Sequence, residues 1–180
     1  MTTDGEVPGA ERWFGSVSMD PPLPDGGAAI VGELVAMLDA LDPELADRER
    51  SRIAVEGRFR GHRTLVLQIA HRHDDSATVA VTVSGDGAIV AWLGTHEHID
   101  PSGDSTDRPW TSTVVDVVAA AMRGEYAVES LRRGGRVVLR RVLDDVRGGA
   151  CISETGSLLA WLRLGRPATE SRRLDFGVRG

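Results

Sequence analysis

The sequence predicts an α+β protein built on an antiparallel sheet, and three observations support this fold class. Apolar residues recur at helical spacing after residue 27 and again after residue 113, whereas the segments between them alternate in polarity with the period of strands. Short connections rich in glycine and aspartate separate the alternating segments, as hairpins require. Because helices on either side of such a run of strands pack on one face of the sheet, we predict an α+β fold.

The length of 180 residues suits one domain with a buried core. Residues 1–27 hold four of the eight prolines, so we predict a mobile N-terminal arm followed by a single α+β domain over residues 28–180. Within the arm, Trp13 and Phe14 are candidates to dock it onto the domain. The tail after residue 147 has the pattern of short strands in the segments CIS, LLAWLRL and RRLDF, interrupted by Pro167.

Two helices are predicted near the N-terminus. The first begins at Gly27, and Asp42 as N-cap with Pro43 at the first helical position predicts a second, short helix to about Arg50. The first helix carries one apolar stripe: Ile30, Leu34, Met37, Leu38 and Leu41.

The middle of the chain predicts an antiparallel meander of four strands over about residues 53–96. Each strand alternates apolar and polar residues, and the connections GH, HDDS and SGDG are typical of turns. The four segments are RIAVEGRFR, RTLVLQIAH, SATVAVTVS and GAIVAWLGT.

A helix over about residues 113–123 and a hairpin over about residues 126–143 follow the meander. Thr113 and Asp116 have the spacing of a capping box, and Gly124 is a typical helix stop. The hairpin turns at Gly134 and Gly135. This order of elements resembles the layout of secretion chaperones and of some toxin-immunity proteins, which implies a protein that binds another protein. The resemblance concerns the layout and rests on no residue motif.

Composition and charge exclude some function classes. The net charge is −6, and the first fifty residues hold eleven acidic residues against three arginines, which disfavours nucleic-acid binding. All 21 basic residues are arginine, a bias typical of GC-rich bacterial genes. No secretory signal or apolar run of about 20 residues occurs, so we expect a cytoplasmic protein. Cys151 is expected to be buried and structural, and no common catalytic motif is present.

Four of the five histidines form two His-x-His pairs. A two-residue turn between Ser84 and Gly87 and a loop that sets His73 opposite Ala77 predict that both pairs lie on one face and at one end of the meander. No cofactor is expected in the favoured interpretation, in which the pairs are polar rim residues. The alternatives are a partner-binding or pH-responsive cluster and a zinc site, with a third ligand from Asp74, Asp75, Glu97 or Asp100. The candidate metal ligands are His71, His73, His96 and His98.

Two surfaces are candidates for partner binding. The strand register predicts an apolar outward face on the meander, which needs a cover. Its candidate contact residues are Val66, Ile89 and Leu93. The hairpin is rich in arginine, and we favour a solvated hairpin paired with local acids over an RNA-binding surface. Its candidate contact residues are Arg132, Arg133 and Arg136.

The sequence therefore favours a non-enzymatic cytoplasmic protein-binding module of the immunity or chaperone kind. Its partner is another protein, a basic one being favoured by the acidic first fifty residues, with a homodimer as an alternative. No membrane association is expected and nucleic acid is disfavoured. A small metal-binding protein or metal-dependent enzyme is the second hypothesis, and an RNA-binding module is the third.

Overall fold

The computed structural model describes residues 7, 9–14, 23–40, 44–59, 62–74, 76–101, 109–134, 136–144, 148–156 and 167–176, with the backbone alone for residues 56–59 and 62. The helices in these ranges are α1 (Ala10–Phe14), α2 (Gly27–Leu38) and α3 (Trp110–Met122). The strands are β1 (Ala46–Phe59), β2 (His62–His71), β3 (Thr78–Ser84), β4 (Gly87–Trp92), β5 (Thr95–Ile99), β6 (Tyr126–Arg133), β7 (Arg136–Asp144), β8 (Ala150–Gly156) and β9 (Pro167–Arg172).

The strands form two antiparallel sheets, and the α+β class is confirmed. The first is a meander of five strands in the order β1-β2-β3-β4-β5, where four were predicted. The second has four strands in the order β8-β7-β6-β9. Its centre is the predicted hairpin, and the chain after residue 147 supplies both edge strands. Pro167 begins β9, an edge position that a residue without an N–H tolerates.

One face of the five-stranded sheet supplies the core. The alternate residues on this face have no exposed surface: Leu65, Leu67, Ile69, Val79, Val81, Val83 and Val90. α2 and α3 cover the face with residues that are equally buried: Ile30, Leu34, Leu38, Val114, Val118 and Met122. The predicted stripe of α2 is confirmed for the described residues, whereas Leu41 lies outside them. None of the helices in the described part of the chain is long and apolar enough to cross a membrane.

The predicted helix ending near Arg50 is wrong, because that segment belongs to β1. Ala46 pairs with His71, and a bulge follows Asp47 before regular pairing resumes at Arg52. The Asp47 carboxylate accepts hydrogen bonds from the backbone N–H groups of Glu49 (3.0 Å) and Arg50 (3.1 Å), which holds the bulge. Strand pairing with β2 thus overrides the local helix signal, whose residues 42 and 43 lie outside the described ranges.

The predicted strand registers assign the side chains of β2, β3 and β4 to the correct faces of the sheet. Ser84 pairs with Gly87 as predicted. At the preceding turn, the residue opposite Ala77 is His71 and not His73, because the His71 N–H donates to the Ala77 carbonyl (3.0 Å). This shift spans two residues, and since alternate residues share a face, the predicted inward row is unchanged. The longer turn is held by Asp74, which accepts from the Ser76 N–H (2.9 Å).

α3 begins three residues before the predicted capping box. Pro109 precedes it in extended conformation (φ −60°, ψ 139°) and starts the helix at Trp110, so Thr113 lies inside the first turn. The predicted stop is confirmed, since Gly124 adopts a positive φ of 72°. The end of α3 is closed by the C-terminal segment, because the Phe176 N–H donates to the Met122 carbonyl (2.9 Å).

α1 docks against the end of α2. Trp13 is 1% exposed, and its indole N–H donates to the Asp39 carboxylate at 2.8 Å. The Arg48 guanidinium lies 4.4 Å from the centre of the Trp13 ring, a cation–π contact. Phe14 is also buried. Both residues therefore dock on the domain, while mobility of the rest of the 1–27 arm stays a prediction.

Candidate functional site

A tight turn between β4 and β5 decides where the second histidine pair lies. Trp92 pairs with Thr95, so Leu93 and Gly94 form a two-residue loop. Both have positive φ angles, 46° and 75°, which is the signature of a type I′ hairpin. The predicted strand GAIVAWLGT therefore breaks at this turn. The sequence did not reveal it, because Leu-Gly lacks the Asn-Gly or Asp-Gly pattern that marks such turns.

The turn inverts the faces of the residues that follow it. His96 pairs with Ala91 and His98 with Ile89, so both histidines share the outer face of the sheet. Glu97 pairs with Val90 and faces the core side. The prediction that all four histidines lie on one face is therefore wrong for the second pair. Without this turn, His96 and His98 would have continued the row of Val90 and Trp92, which faces the core.

His71 of the first histidine pair holds the C-terminal segment. One ring nitrogen of His71, Nε2, lies 3.1 Å from the Asp175 carbonyl. The other, Nδ1, accepts the backbone N–H of His73 at 3.2 Å. The His71 ring also meets Phe176 edge to face, with 5.1 Å between ring centres. Both nitrogens of His71 are thus engaged within the protein.

The structure does not bring the two pairs together. β3 and β4 separate β2 from β5, which is a distance of about 14 Å at the usual strand spacing. His71 also faces the core side with Phe176, whereas His96 and His98 lie on the outer face. Among the described residues, no three or more His, Cys, Asp or Glu side chains are grouped closely enough to hold a metal ion. A zinc site shared by the four histidines does not fit this geometry.

Glu97 is the polar residue whose environment sequence reasoning missed. It is half-buried, and its burial raises the pKa of its carboxyl group. Within the described residues, its Oε2 atom has no hydrogen-bond partner. Since it points away from His96 and His98, it is not placed to join them as a ligand. Only the position of the turn, which the sequence did not mark, shows that Glu97 faces inward.

The outer face of the five-stranded sheet, opposite the buried core face, consists of two rows of paired residues. One row contains Val66 and Ile89, two of the predicted partner-binding residues, and Ile89 is 38% exposed. The first row is Ala54, Val66, Thr82, Ile89 and His98. The second row is Arg52, Gln68, Ala80, Ala91 and His96. The third predicted residue, Leu93, does not belong to this face, because it lies in the turn and packs partly against the core.

The arginine-rich hairpin is largely engaged with neighbouring strands. Arg132 forms an ion pair with Glu170 of β9 (3.1 Å), and Arg141 pairs with Glu154 of β8 (2.7 Å). Arg140 donates to the Gly94 carbonyl at 3.0 Å, which ties the two sheets together. These two acids come from the flanking strands, whereas Glu129, one of the predicted local acids, lies opposite Arg141 within the hairpin.

The other two predicted arginines differ in exposure. Arg133 is half-buried, and Arg136 is exposed beside the turn. The hairpin belongs to the four-stranded sheet, so the two sets of predicted partner-binding residues lie on different sheets.

The prediction that Cys151 is buried is wrong. Cys151 is exposed on β8, the edge strand that follows two glycines with positive φ, Gly148 and Gly149. The same sheet carries a groove of about 120 Å³, lined by Glu129, Leu131, Leu139, Arg141 and Thr169. This volume is below the roughly 300 Å³ of typical small-molecule sites.

Comparison of the chain with protein-family models, curated proteins and solved structures gives no match.

Proposed function

We propose that the protein is a non-enzymatic, cytoplasmic protein-binding module of the immunity or chaperone kind, and that its partner binds the outer face of the five-stranded sheet. The exposure of Ile89 in the middle of that face carries the proposal. Ile89 is 38% exposed although it lies on an internal strand whose opposite face is completely buried. An apolar strip with a polar rim is typical of a protein-binding surface.

The outer face has a shape that suits a protein partner. Four inner positions around Ile89 carry shorter side chains: Ala80 and Ala91 in one row, and Thr82 beside Val66 in the other. A partner helix or strand can therefore approach the backbone closely. Arg52 and Gln68 form a polar rim on the β1 side, joined by a 2.6 Å hydrogen bond, and the histidines of β5 form the opposite rim.

The charge of the chain favours a basic partner. The first fifty residues carry most of the excess negative charge, and the described acids among them include Glu33 on an exposed turn of α2. Opposite charges accelerate the encounter between proteins and help to select the partner.

Site-specific crosslinking tests the position of the interface. A photoreactive amino acid replaces Ile89 in one variant and Ile152 in another, which is a matched control because Ile152 is 37% exposed on β8 of the other sheet. Expressed in the native host, the Ile89 probe should capture one protein at near-stoichiometric yield and the Ile152 probe should not. Equal labelling by the two probes, or none by either, would contradict the proposal.

A charge substitution then tests whether the face contributes to affinity. With the captured partner purified, Ile89→Arg should weaken binding at least tenfold, which is about 1.4 kcal/mol, because it desolvates a positive charge against a basic partner. Ile152→Arg should leave the affinity unchanged. Thermal melting of both variants verifies that each remains folded. Retention of full affinity by folded Ile89→Arg would place the interface elsewhere.

A further inference from the structure

We propose that His96 and His98 form a two-imidazole binding site for a divalent transition-metal ion, with Cu²⁺ bound most tightly. This site goes beyond the proposed protein-binding function and does not depend on it. It uses only the second His-x-His pair, on the outer face of edge strand β5. The observation that carries it is the position of two exposed imidazoles side by side on one strand.

The backbone geometry allows both rings to reach one ion. Alternate residues of a strand point to the same side, and their Cα atoms are about 6.6–6.8 Å apart. Each imidazole extends several ångströms from its Cα atom, so the two rings can converge on an ion with bonds of about 2.0–2.1 Å. The cross-strand neighbour of His96 is Ala91, whose single methyl group leaves room for the ring to turn.

The two imidazoles are not engaged by hydrogen bonds in the part of the chain that the structure describes. Both are exposed, and neither forms a hydrogen bond with another described residue. Their nitrogen atoms are therefore available as ligands. Glu97 points to the other face, and no other described His, Cys, Asp or Glu groups with the pair, so water would fill the remaining coordination positions.

The chemistry of two imidazoles selects the ion. Imidazole nitrogen suits Cu²⁺, Ni²⁺ and Zn²⁺, and the Irving–Williams order makes Cu²⁺ the tightest of these. A site with two protein ligands and open positions should exchange its ion readily, unlike a closed four-ligand zinc site.

The first His-x-His pair provides an internal control with the same sequence pattern. His71 uses Nε2 on the Asp175 carbonyl and Nδ1 on the His73 N–H. A metal ion would have to displace one of these contacts. We therefore expect no comparable site at His71 and His73.

Calorimetric titration with CuCl₂ tests the proposal on the full chain purified without a histidine tag. The wild-type protein should bind one Cu²⁺, and the electron paramagnetic resonance spectrum should show coupling to two imidazole nitrogens. His96→Gln and His98→Gln should each weaken binding at least tenfold, whereas His73→Gln should leave it unchanged. Melting temperatures show that the variants are folded.

Three results would overturn the site. The first is no Cu²⁺ binding at micromolar concentrations of the wild-type protein. The second is unchanged affinity in the double variant His96→Gln, His98→Gln, and the third is an equal loss in His73→Gln. Because the crosslinking test at Ile89 needs no metal, failure of this site and failure of the protein-binding proposal are distinguishable.

Discussion

The two sheets of this protein are stabilised in different ways. The five-stranded sheet has one face in which seven residues of β2, β3 and β4 have no exposed surface. In the four-stranded sheet, β9 is exposed at each position and β8 at each position except Ser153. Its edge strands are joined to the centre by ion pairs such as Arg132–Glu170 and Arg141–Glu154. Burial of one face therefore specifies the register of the first sheet, and polar pairing contributes more to the second.

The largest expected effect is a difference in the free energy of unfolding that is lost when a side chain is removed from one sheet or the other. Leu67→Ala removes a side chain with no exposed surface from the middle of β2 and should lower the free energy of unfolding by about 3 kcal/mol. Ile152→Ala, at a position 37% exposed on β8, should cost less than about 1 kcal/mol. Chemical denaturation of both variants measures the difference. Similar losses would show that the edge of the second sheet is as important as the core of the first.

The same contrast explains which parts of the fold could be predicted. The meander was predictable because alternation such as Val79, Val81 and Val83 is produced by one buried face. β8 and β9 offer no such pattern, since nearly all their side chains are exposed. The start of β1 was mistaken for a helix, because an aspartate followed by proline is a local signal and its partner strand lies 25 residues further along.

The candidate site was predictable only in part. The register correctly placed Val66 and Ile89 on the outer face, because alternate residues of a strand share a face. The positions of Leu93, His96 and His98 depended on a turn whose first residue adopts a positive φ without being glycine, asparagine or aspartate. Such a conformation is set by the surrounding structure, which the local sequence does not reveal.

The next largest expected effect is the loss of stability when a contact between the two sheets is removed. Arg172 of β9 donates to the Asp74 carboxylate (3.0 Å) and to the Ser76 hydroxyl (2.8 Å) in the turn between β2 and β3. Hydrogen bonds from Ser76, assisted by the charge of Arg172, lower the pKa of the Asp74 carboxyl group. Asp74→Asn should cost at most about 1 kcal/mol near pH 7, because the pair is exposed.

The pH dependence of this loss has a defined sign. A lowered pKa in the folded state gives stability that is present above the ordinary aspartate value and is lost as the pH falls through the lowered value. The difference between wild type and Asp74→Asn should therefore shrink in acid. Arg172→Gln should have the smaller effect, since it leaves the Ser76 bonds to Asp74 intact. Thermal melts of all three proteins from pH 7 to about pH 3 check this ranking.

The smallest expected effect is a gain in stability. Because burial raises the pKa of the Glu97 carboxyl group, ionisation of Glu97 near pH 7 opposes folding. Glu97→Gln keeps the shape without the charge and should raise the melting temperature slightly at pH 7. The gain should vanish as the pH falls below about 4, where the wild-type carboxyl group becomes protonated in both states.

Glu33→Gln is the matched control for this gain, since Glu33 is exposed on α2 and its substitution should leave the melting temperature unchanged. A lower melting temperature of Glu97→Gln at pH 7 would indicate that the carboxylate makes a favourable contact.

The core contains residues from near both ends of the chain, and this affects the order in which the protein can fold. Trp13 and Phe176 belong to the same buried cluster, although almost the whole domain lies between them in sequence. Contacts of such long separation slow folding, because a large loop must close before they form. During synthesis the core cannot be completed until Leu174 and Phe176 have emerged. Nascent chains should therefore expose part of the core until late, when a chaperone or a second copy can still compete for it.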